Sequence, residues 1–344
     1  MSNPDTLIVY HLFEKDQTYI DNFHHFMRFG YRPEHDYLVV IAGANNIALP
    51  EMRNIRYLLT DNHNNDYGGY CAAVQQTPNI LQYETVFFIN SSVRGPFLPG
   101  GDPRCWTDVF KQYFSEDVGL VGTSINILHD DTIFAERYEK AYHAAKPYSH
   151  VQTTAYALNR RCLEVLIDAG FYQPAAEMVK EDVITHYELR LSQLLIEKGW
   201  NLKCLLPEYN NIDYRLPHQD INPTSGYGDP SYPCGYFGRT FHPYEVMFIK
   251  TNRDMLREQY LERLAYSAHS ARPATANLLE QSGVAHYVSK IELAGKSKET
   301  VNFNETTLNP LQVMNFVRGL VVQHPEFAQT IVEIAQASGG SSPR

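Results

Sequence analysis

Short apolar runs alternate with helical periodicity through the first 250 or so residues. Leu7–Tyr10, Tyr37–Ala42, Ile55–Leu59, Thr85–Ile89 and Val118–Gly122 are dominated by aliphatic and aromatic side chains and each predicts a strand. Thr85–Ile89 is strongly β-forming and apolar and reads as a central strand buried on both faces. Between the strands, Thr18–Phe29 sets Ile20, Phe23 and Met27 on one helical face, and Tyr70–Thr77 and Trp106–Phe114 predict two more helices. Val151–Leu158 is β in character and precedes an amphipathic helix, Arg161–Ala169, stopped by Gly170. A second helix, Tyr187–Lys198, is stopped by Gly199 before a strand over Trp200–Leu206. Such alternation places a mixed, mostly parallel sheet between helices, which is the α/β class.

The pattern then changes. Residues 208–240 are rich in Tyr, Pro, Gly and Asn and predict a long ordered loop. A helix is expected over 255–269, weak periodicity follows over 270–310, and one or two helices over Leu311–Ala337. Ser338–Arg344 has the composition of a disordered tail. The expected organisation is an α/β domain over 1–253, a helical extension over 254–337 and a tail over 338–344.

Charge removes some functions. The formal net charge of -10, without any dense Lys/Arg block, excludes a nucleic-acid surface. A small anionic ligand held by backbone amides and a few local cations is still compatible. The five cysteines contain no CxxC pair, so neither a zinc framework nor a disulfide scaffold is expected, and a reducing compartment fits. There is no basic, apolar leader at the start and no run of 18 apolar residues, so the expected location is cytoplasmic, without a transmembrane segment. Asn90-Ser91-Ser92 and Asn304-Glu305-Thr306 match a glycosylation acceptor pattern, which is read as chance.

Several segments carry chemistry. In Asn62-His63-Asn64-Asn65-Asp66-Tyr67-Gly68-Gly69-Tyr70, the glycines permit close backbone approach and Asp66 can accept hydrogen bonds. Phe87 to Phe97 runs from a strand into Asn90-Ser91-Ser92-Val93-Arg94-Gly95-Pro96. His150-Val151-Gln152-Thr153 offers hydroxyl-binding groups ahead of the next strand. Arg239, Lys250 and Arg253 supply positive charge around His242. Tyr209, Tyr214, Tyr227, Tyr232 and Tyr236 in the long loop are able to stack on sugar rings.

Taken in order, these segments resemble inverting GT-A glycosyltransferases of the rhamnan-synthesis-like, polysaccharide-building group, which includes large-virus glycan enzymes. The resemblance spans about residues 5–253. The 62–70 stretch resembles an N-x-G-x-D-x-G loop with Asn64 in place of the glycine, and implies donor binding by Asn62, Asp66, Gly68 and Gly69. Asn90, Ser91, Ser92 and Arg94 stand where these enzymes hold a DxD metal motif, and imply contact with the donor diphosphate and sugar. Hydroxyls and an amide are poor ligands for a hard cation. Two alternatives follow: Mn2+ or Mg2+ held weakly through water, or no metal at all, with Arg94 and loop amides meeting the phosphates.

Arg160-Arg161, Gly170-Phe171 and Gly199-Trp200 resemble the acceptor half of the same enzymes, whose catalytic carboxylate lies 11 residues before the last glycine. Glu188 has that spacing to Gly199, and so is implied as the base that takes the acceptor proton at the start of a helix. The literal acidic pair Glu181-Asp182 is the rival, at 18 and 17 residues. His150, Gln152 and Thr153 are implied to bind acceptor or donor sugar, Arg239 and Lys250 the diphosphate, and His242 a metal. The partners implied are a nucleoside-diphosphate sugar and a glycan acceptor. Two other readings stay open: a catalytically silent, glycan-binding relative, and a nucleotidyltransferase, against which the segment after the first strand, His11-Leu12-Phe13-Glu14, shows no Gly-rich phosphate loop.

Overall fold

A computed structural model describes residues 4–271, 276–279 and 281–298. Its centre is a seven-stranded sheet built from β1 (Thr6–Phe13), β2 (Asp36–Ala42), β3 (Ile55–Thr60), β4 (Thr85–Asn90), β6 (Val118–Gly122), β9 (Ala155–Asn159) and β10 (Asn201–Cys204). The strand order is β10-β6-β9-β4-β1-β2-β3. All pairings are parallel except those of β9, which runs antiparallel to both β4 and β6. The mixed, mostly parallel sheet expected from the alternation is therefore present.

Strand alternation divides the core into two layers. On one face of β1, β2 and β4 lie Leu7, Val9, Leu38, Val40, Val86 and Phe88. On the other lie Ile8, Tyr10, Tyr37, Val39, Ile41, Phe87 and Ile89. Burial on both faces explains why these strands read as unbroken apolar runs. The first layer is covered by α2 (Asn65–Gln76), α5 (Arg160–Asp168) and α7 (Arg190–Glu197), the second by α1 (Gln17–Gly30) and α3 (Trp106–Lys111). Phe87 meets Trp106 at 4.8 Å in one layer, and Phe88 stacks on Tyr156 at 5.1 Å in the other. Truncating either phenylalanine to alanine costs about 3–5 kcal/mol in such a setting.

Two small ribbons sit beyond the strand ends. β5 (Val93–Arg94) pairs antiparallel with β11 (Ile249–Lys250), and β7 (Ile125–Asn126) pairs antiparallel with β8 (His150–Val151). The sequence pattern singles out neither ribbon, because two-residue strands carry no periodicity. It also misses α4 (Ile133–Tyr142), which is capped by Thr132. Residues 208–240 form the expected long loop, with a 3-10 turn over Pro207–Asn211.

Two helix boundaries depart from expectation. α2 begins at Asn65, not near Tyr70, so Asp66, Gly68 and Gly69 belong to its first turns. Asn64 precedes it with a φ of 57°, in the left-handed region where asparagine is tolerated. The helix read as starting at Tyr187 starts at Lys180. It runs from α6 (Lys180–Val183) through a π segment, Ile184–Leu189, into α7. Near the end of the expected α/β domain, α8 (Pro243–Val246) leads to β11, and the described part of 254–337 holds α9 (Glu258–Ala271), α10 (Ala276–Leu279) and α11 (Ser282–Lys296). Leu261, Ala265, Tyr287 and Ile291 join the first core layer, and Leu278 and Val284 the second. The helices expected over 311–337 and the tail at 338–344 lie outside the described residues. Among the described residues no helix is long and apolar enough to cross a membrane.

Candidate active site

The parallel strands β4 and β6 end at the edge of the sheet where β9 begins, and residues from several elements meet there. A cavity of about 410 Å³ at this end is walled by Glu188, His150, Gln152, Asn126, Asp229 and Arg253, among others. Its volume is in the range of small-molecule pockets, about 300–1,000 Å³.

Glu188 comes from the π segment. The extra residue in a π turn rotates the side chains that follow, and such turns concentrate at functional positions. Its neighbour Tyr187 stacks on Tyr67 of α2, with centroids 4.9 Å apart and planes 19° apart. This pair locks the π segment to the first turn of α2, which carries Asp66. Burial raises the Glu188 carboxyl above its ordinary range, and the charge of Asp66 adds to the effect. Burial also raises Asp66, partly offset by a hydrogen bond from Asn90 Nδ2 at 2.8 Å. The sequence reading placed Glu188 at a helix N-terminus. It lies mid-helix, so the helix-end field does not hold its charge. The N-terminal turn belongs instead to Glu181 and Asp182, and Asp182 pairs with Arg137 at 2.8 Å on the surface.

Opposite charges come from the C-terminal side. Lys250, on β11, is pushed down to about 8 by burial and by the charge of Arg253, against the pull of Asp229, Glu188 and Asp66. Arg253 pairs with Asp229 at 2.5 Å and stacks on Tyr232 at 4.2 Å. Burial alone would raise Asp229, but Arg253 and Lys250 outweigh it and hold this carboxyl below the usual range. Gln152 Nε2 donates to the same carboxylate at 3.2 Å. His150 is kept neutral by burial. Its Nε2 lies 3.2 Å from the Asn126 amide and its Nδ1 3.0 Å from the Tyr148 carbonyl. An Nδ1–H tautomer satisfies both contacts. Thr153 is buried just ahead of β9, and the carbonyl of Thr154 accepts from Asn90 N at 3.0 Å.

Other expected residues are placed differently. Asn62 is exposed ahead of α2. Gly68 makes room for its own chain, since a Cβ would come within 2.0 Å of the His63 carbonyl. Gly69 packs on His11, where a Cβ would meet the ring at 2.5 Å. Close packing within the fold therefore accounts for both glycines. Ser91 is buried, with Oγ accepting from Phe13 N at 3.0 Å, and Ser92 Oγ donates to Asn90 Oδ1 at 2.5 Å. Arg94 is fully buried and does not face the cavity: its Nε donates to Asn22 at 2.8 Å and its Nη1 to Glu258 at 2.6 Å. Arg239 is tied to Glu245 by two hydrogen bonds, 2.6 and 2.7 Å, and stacks on Tyr236. His242 caps α8 through Nδ1, while Nε2 lies 2.7 Å from the Tyr260 hydroxyl. Both ring nitrogens are engaged locally, away from the cavity lining.

The donor set does not fit a divalent cation. Asn90 and both serines have their oxygens engaged within the protein, and the nearby carboxylates face Lys250 and Arg253. Among the described residues, the only three His, Cys or acidic side chains close enough to share an ion are Glu34, His35 and Cys105, at the start of β2 and before α3.

The sequence reading did not single out Asp229 or Asn126, and it treated Arg253 as one cation among several. Asp229 closes a Gly226-Tyr227-Gly228-Asp229 turn, which reads as a turn signal and not as chemistry.

No protein-family model and no curated protein matches the chain. Among solved structures it is similar to the galactosyltransferase LgtC in complex with donor and acceptor sugar analogs, at 13% identity over 78% of this chain and 97% of that one, with a TM-score of 0.37. It is also similar to the mannosyltransferase PcManGT from Pyrobaculum calidifontis in complex with GDP-Man and Mn2+, at 11% identity over 98% and 81%, TM-score 0.36. The bifunctional glycosyltransferase WbbM is similar at 10% identity over 86% and 53%, TM-score 0.40. At these scores the likeness assigns no activity; that rests on the site.

Proposed function

We propose that the chain is an inverting glycosyltransferase that uses a nucleoside-diphosphate donor, of the hexose or 6-deoxyhexose class that the resemblance to the rhamnan-synthesis-like group implies, to glycosylate a glycan hydroxyl. The observation that carries this reading is Glu188: a half-buried carboxylate with a raised pKa, set in a π turn, in a cavity that also holds amides, an imidazole and the Arg253 guanidinium. A raised carboxyl accepts a proton more readily near neutral pH, as a general base requires. In the step proposed, the acceptor O–H proton goes to the Glu188 carboxylate. The acceptor oxygen bonds to the anomeric carbon from the face opposite the diphosphate. The anomeric C–O bond breaks, and its electron pair leaves with the diphosphate.

The other residues divide the remaining work. Asp66, oriented by Asn90, accepts from donor hydroxyls or the nucleoside. Lys250 and Arg253 meet the negative charge that grows on the leaving diphosphate, in the role a metal ion would otherwise fill. Asn126, whose Oδ1 has no partner, and Gln152 hold sugar hydroxyls, and His150 orients the Asn126 amide. A reducing, cytoplasmic setting suits the five cysteines, all of them unpaired.

The test joins binding to turnover. UDP, GDP or dTDP is expected to raise the melting temperature of the wild type and of Glu188→Gln alike. Transfer or donor hydrolysis by Glu188→Gln is expected to fall about two to four orders of magnitude, while Asp182→Asn stays near wild type. If no nucleotide shifts the melting temperature at millimolar concentration, the donor site is refuted. If Asp182 is essential and Glu188 dispensable, the base has been misplaced.

A further inference from the structure

The five loop tyrosines are not equivalent. Tyr209, Tyr214 and Tyr236 are buried in the core, and Tyr232 lies under the Arg253 guanidinium. Tyr227 and Tyr232 both line the cavity, but Tyr227 differs from the other four in exposure, at 54%. Its backbone is also unusual. Gly226 and Asp229 exchange two backbone hydrogen bonds of 3.0 Å, which leaves Tyr227 and Gly228 as the central residues of a two-residue turn. Both have positive φ, 56° and 92°. Asn, Asp and Gly normally occupy such positions, and tyrosine is strained there.

The turn is fixed in place. Ile127 N donates to the Gly228 carbonyl at 3.1 Å and His129 N to the Tyr227 carbonyl at 3.3 Å. A Cβ on Gly228 would come within 2.0 Å of the Ile127 carbonyl. A strained aromatic residue is thus held in a rigid turn and left half in solvent. At the end of the same turn stands Asp229, inside the cavity. Ile133, 55% exposed, and Phe134 add apolar surface to the same wall.

Aromatic faces bind the C–H face of a pyranose, while carboxylates and amides take its hydroxyls. We infer that Tyr227 is a stacking platform for the acceptor. A saccharide of at least two residues presents its reacting hydroxyl to Glu188 and lays the next ring on Tyr227. The saccharide is not acidic, because three carboxyl side chains, Asp131, Glu188 and Asp229, line the cavity against one arginine, Arg253, which the diphosphate would engage. This inference rests on the transferase reading for the part played by Glu188, but binding to Tyr227 is measurable without donor or turnover.

The experiment is saturation-transfer NMR with methyl glycosides of glucose, galactose, mannose and rhamnose, their di- and trisaccharides, and a glucuronic-acid-containing disaccharide. Wild type, Tyr227→Phe and Tyr227→Asn are compared. A neutral di- or trisaccharide is expected to bind the wild type and Tyr227→Phe more tightly than any monosaccharide or the acidic disaccharide does. Tyr227→Asn is expected to lose about tenfold or more in affinity. Its melting temperature should hold or rise, since asparagine fits the turn better. Unchanged affinity in Tyr227→Asn, a preference for the acidic saccharide, or no neutral saccharide bound by the wild type would each overturn the platform. A drop in melting temperature alongside lost binding in both variants would also overturn it, by making Tyr227 a turn-holding residue. Nucleotide binding, followed in parallel, separates the two ideas. If nucleotides bind and saccharides do not, the transferase reading stands without the platform. Tyr227-dependent saccharide binding without nucleotide binding would leave a glycan-binding relative.

Discussion

Two buried groups of charges lie on either side of the β5–β11 ribbon, and they are built in opposite ways. Behind the ribbon, Arg94 binds Glu258 at 2.6 Å, and Lys290 binds Asp21 at 2.5 Å, Glu262 at 2.8 Å and Glu258 at 3.3 Å. Asn22 completes this group. It accepts from Arg94 and donates to the Ser91 carbonyl and the Thr251 hydroxyl. Burial alone would lower Lys290, but hydrogen bonds to Asp21 and Glu262 reverse the shift and raise it. In front of the ribbon, Lys250 is lowered while Asp66 and Glu188 are raised. The first group pairs its charges across α1, β5, α9 and α11, with Arg94 Nη2 the one guanidinium nitrogen left without a partner. The second leaves several of its charged forms disfavoured, a state that costs stability and is retained where chemistry needs it. Ion pairing is common to both groups, since Arg253 and Lys250 hold Asp229 low in the front group as well; the raised Asp66 and Glu188 and the lowered Lys250 are what set the front group apart.

The contrast is most exposed at its two cations. Lys250→Met is expected to lower turnover by about two to three orders of magnitude, the scale seen when a transition-state charge stabiliser is removed. Its melting temperature should hold or rise, because no close partner loses a bond. The wild-type pH–rate profile should rise as the raised Glu188 carboxyl ionises and fall near pH 8 as Lys250 loses its proton. Lys250→Arg should move that alkaline limb upward. An unchanged limb in Lys250→Arg would remove Lys250 from the reaction.

Arg94→Met should behave in the opposite way. Deleting the buried partner of Glu258 is expected to cost about 3 kcal/mol of stability, near the low end for a broken buried pair because Glu258 is 38% exposed. Denaturant unfolding would measure it. The nucleotide affinity of the folded fraction should stay near wild type. Weakened nucleotide binding with stability intact would return Arg94 to the diphosphate site.

Chelation has the smallest expected effect. If Lys250 and Arg253 meet the diphosphate charge, EDTA should leave transfer near its untreated rate. Loss of activity restored by Mn2+ would show that the front group is completed by a metal ion, and the comparison of the two clusters would fail on that side.

Much of the fold was legible from local pattern. The β1, β2 and β4 runs are apolar because both faces are buried, and α5 ends where Gly170 takes a φ of 73°. Glu188, which lines the cavity, was legible as a candidate through its distance to Gly199, a second glycine in the left-handed region, at 88°. The reason given for Glu188 was mistaken, because a π turn inside a continuous helix leaves no mark in apolar periodicity. The pairing of Arg94 was not legible, for a different reason. It follows the β4 motif directly in sequence, but β5 turns its side chain toward α9, a partner 164 residues away.

The sequence by itself determined the strand and helix order, the sheet's buried faces and the glycine stops, since each depends on neighbours a few positions apart. It also placed Asp66, Asn90, Glu188, His150, Gln152 and Lys250 among the candidates. Only the tertiary structure decided which cations are already paired, that Asp229 and Arg253 form one wall of the cavity, and that Tyr227 alone of five loop tyrosines faces outward. Charge pairing and exposure are set by contacts between distant segments, and no local periodicity encodes them.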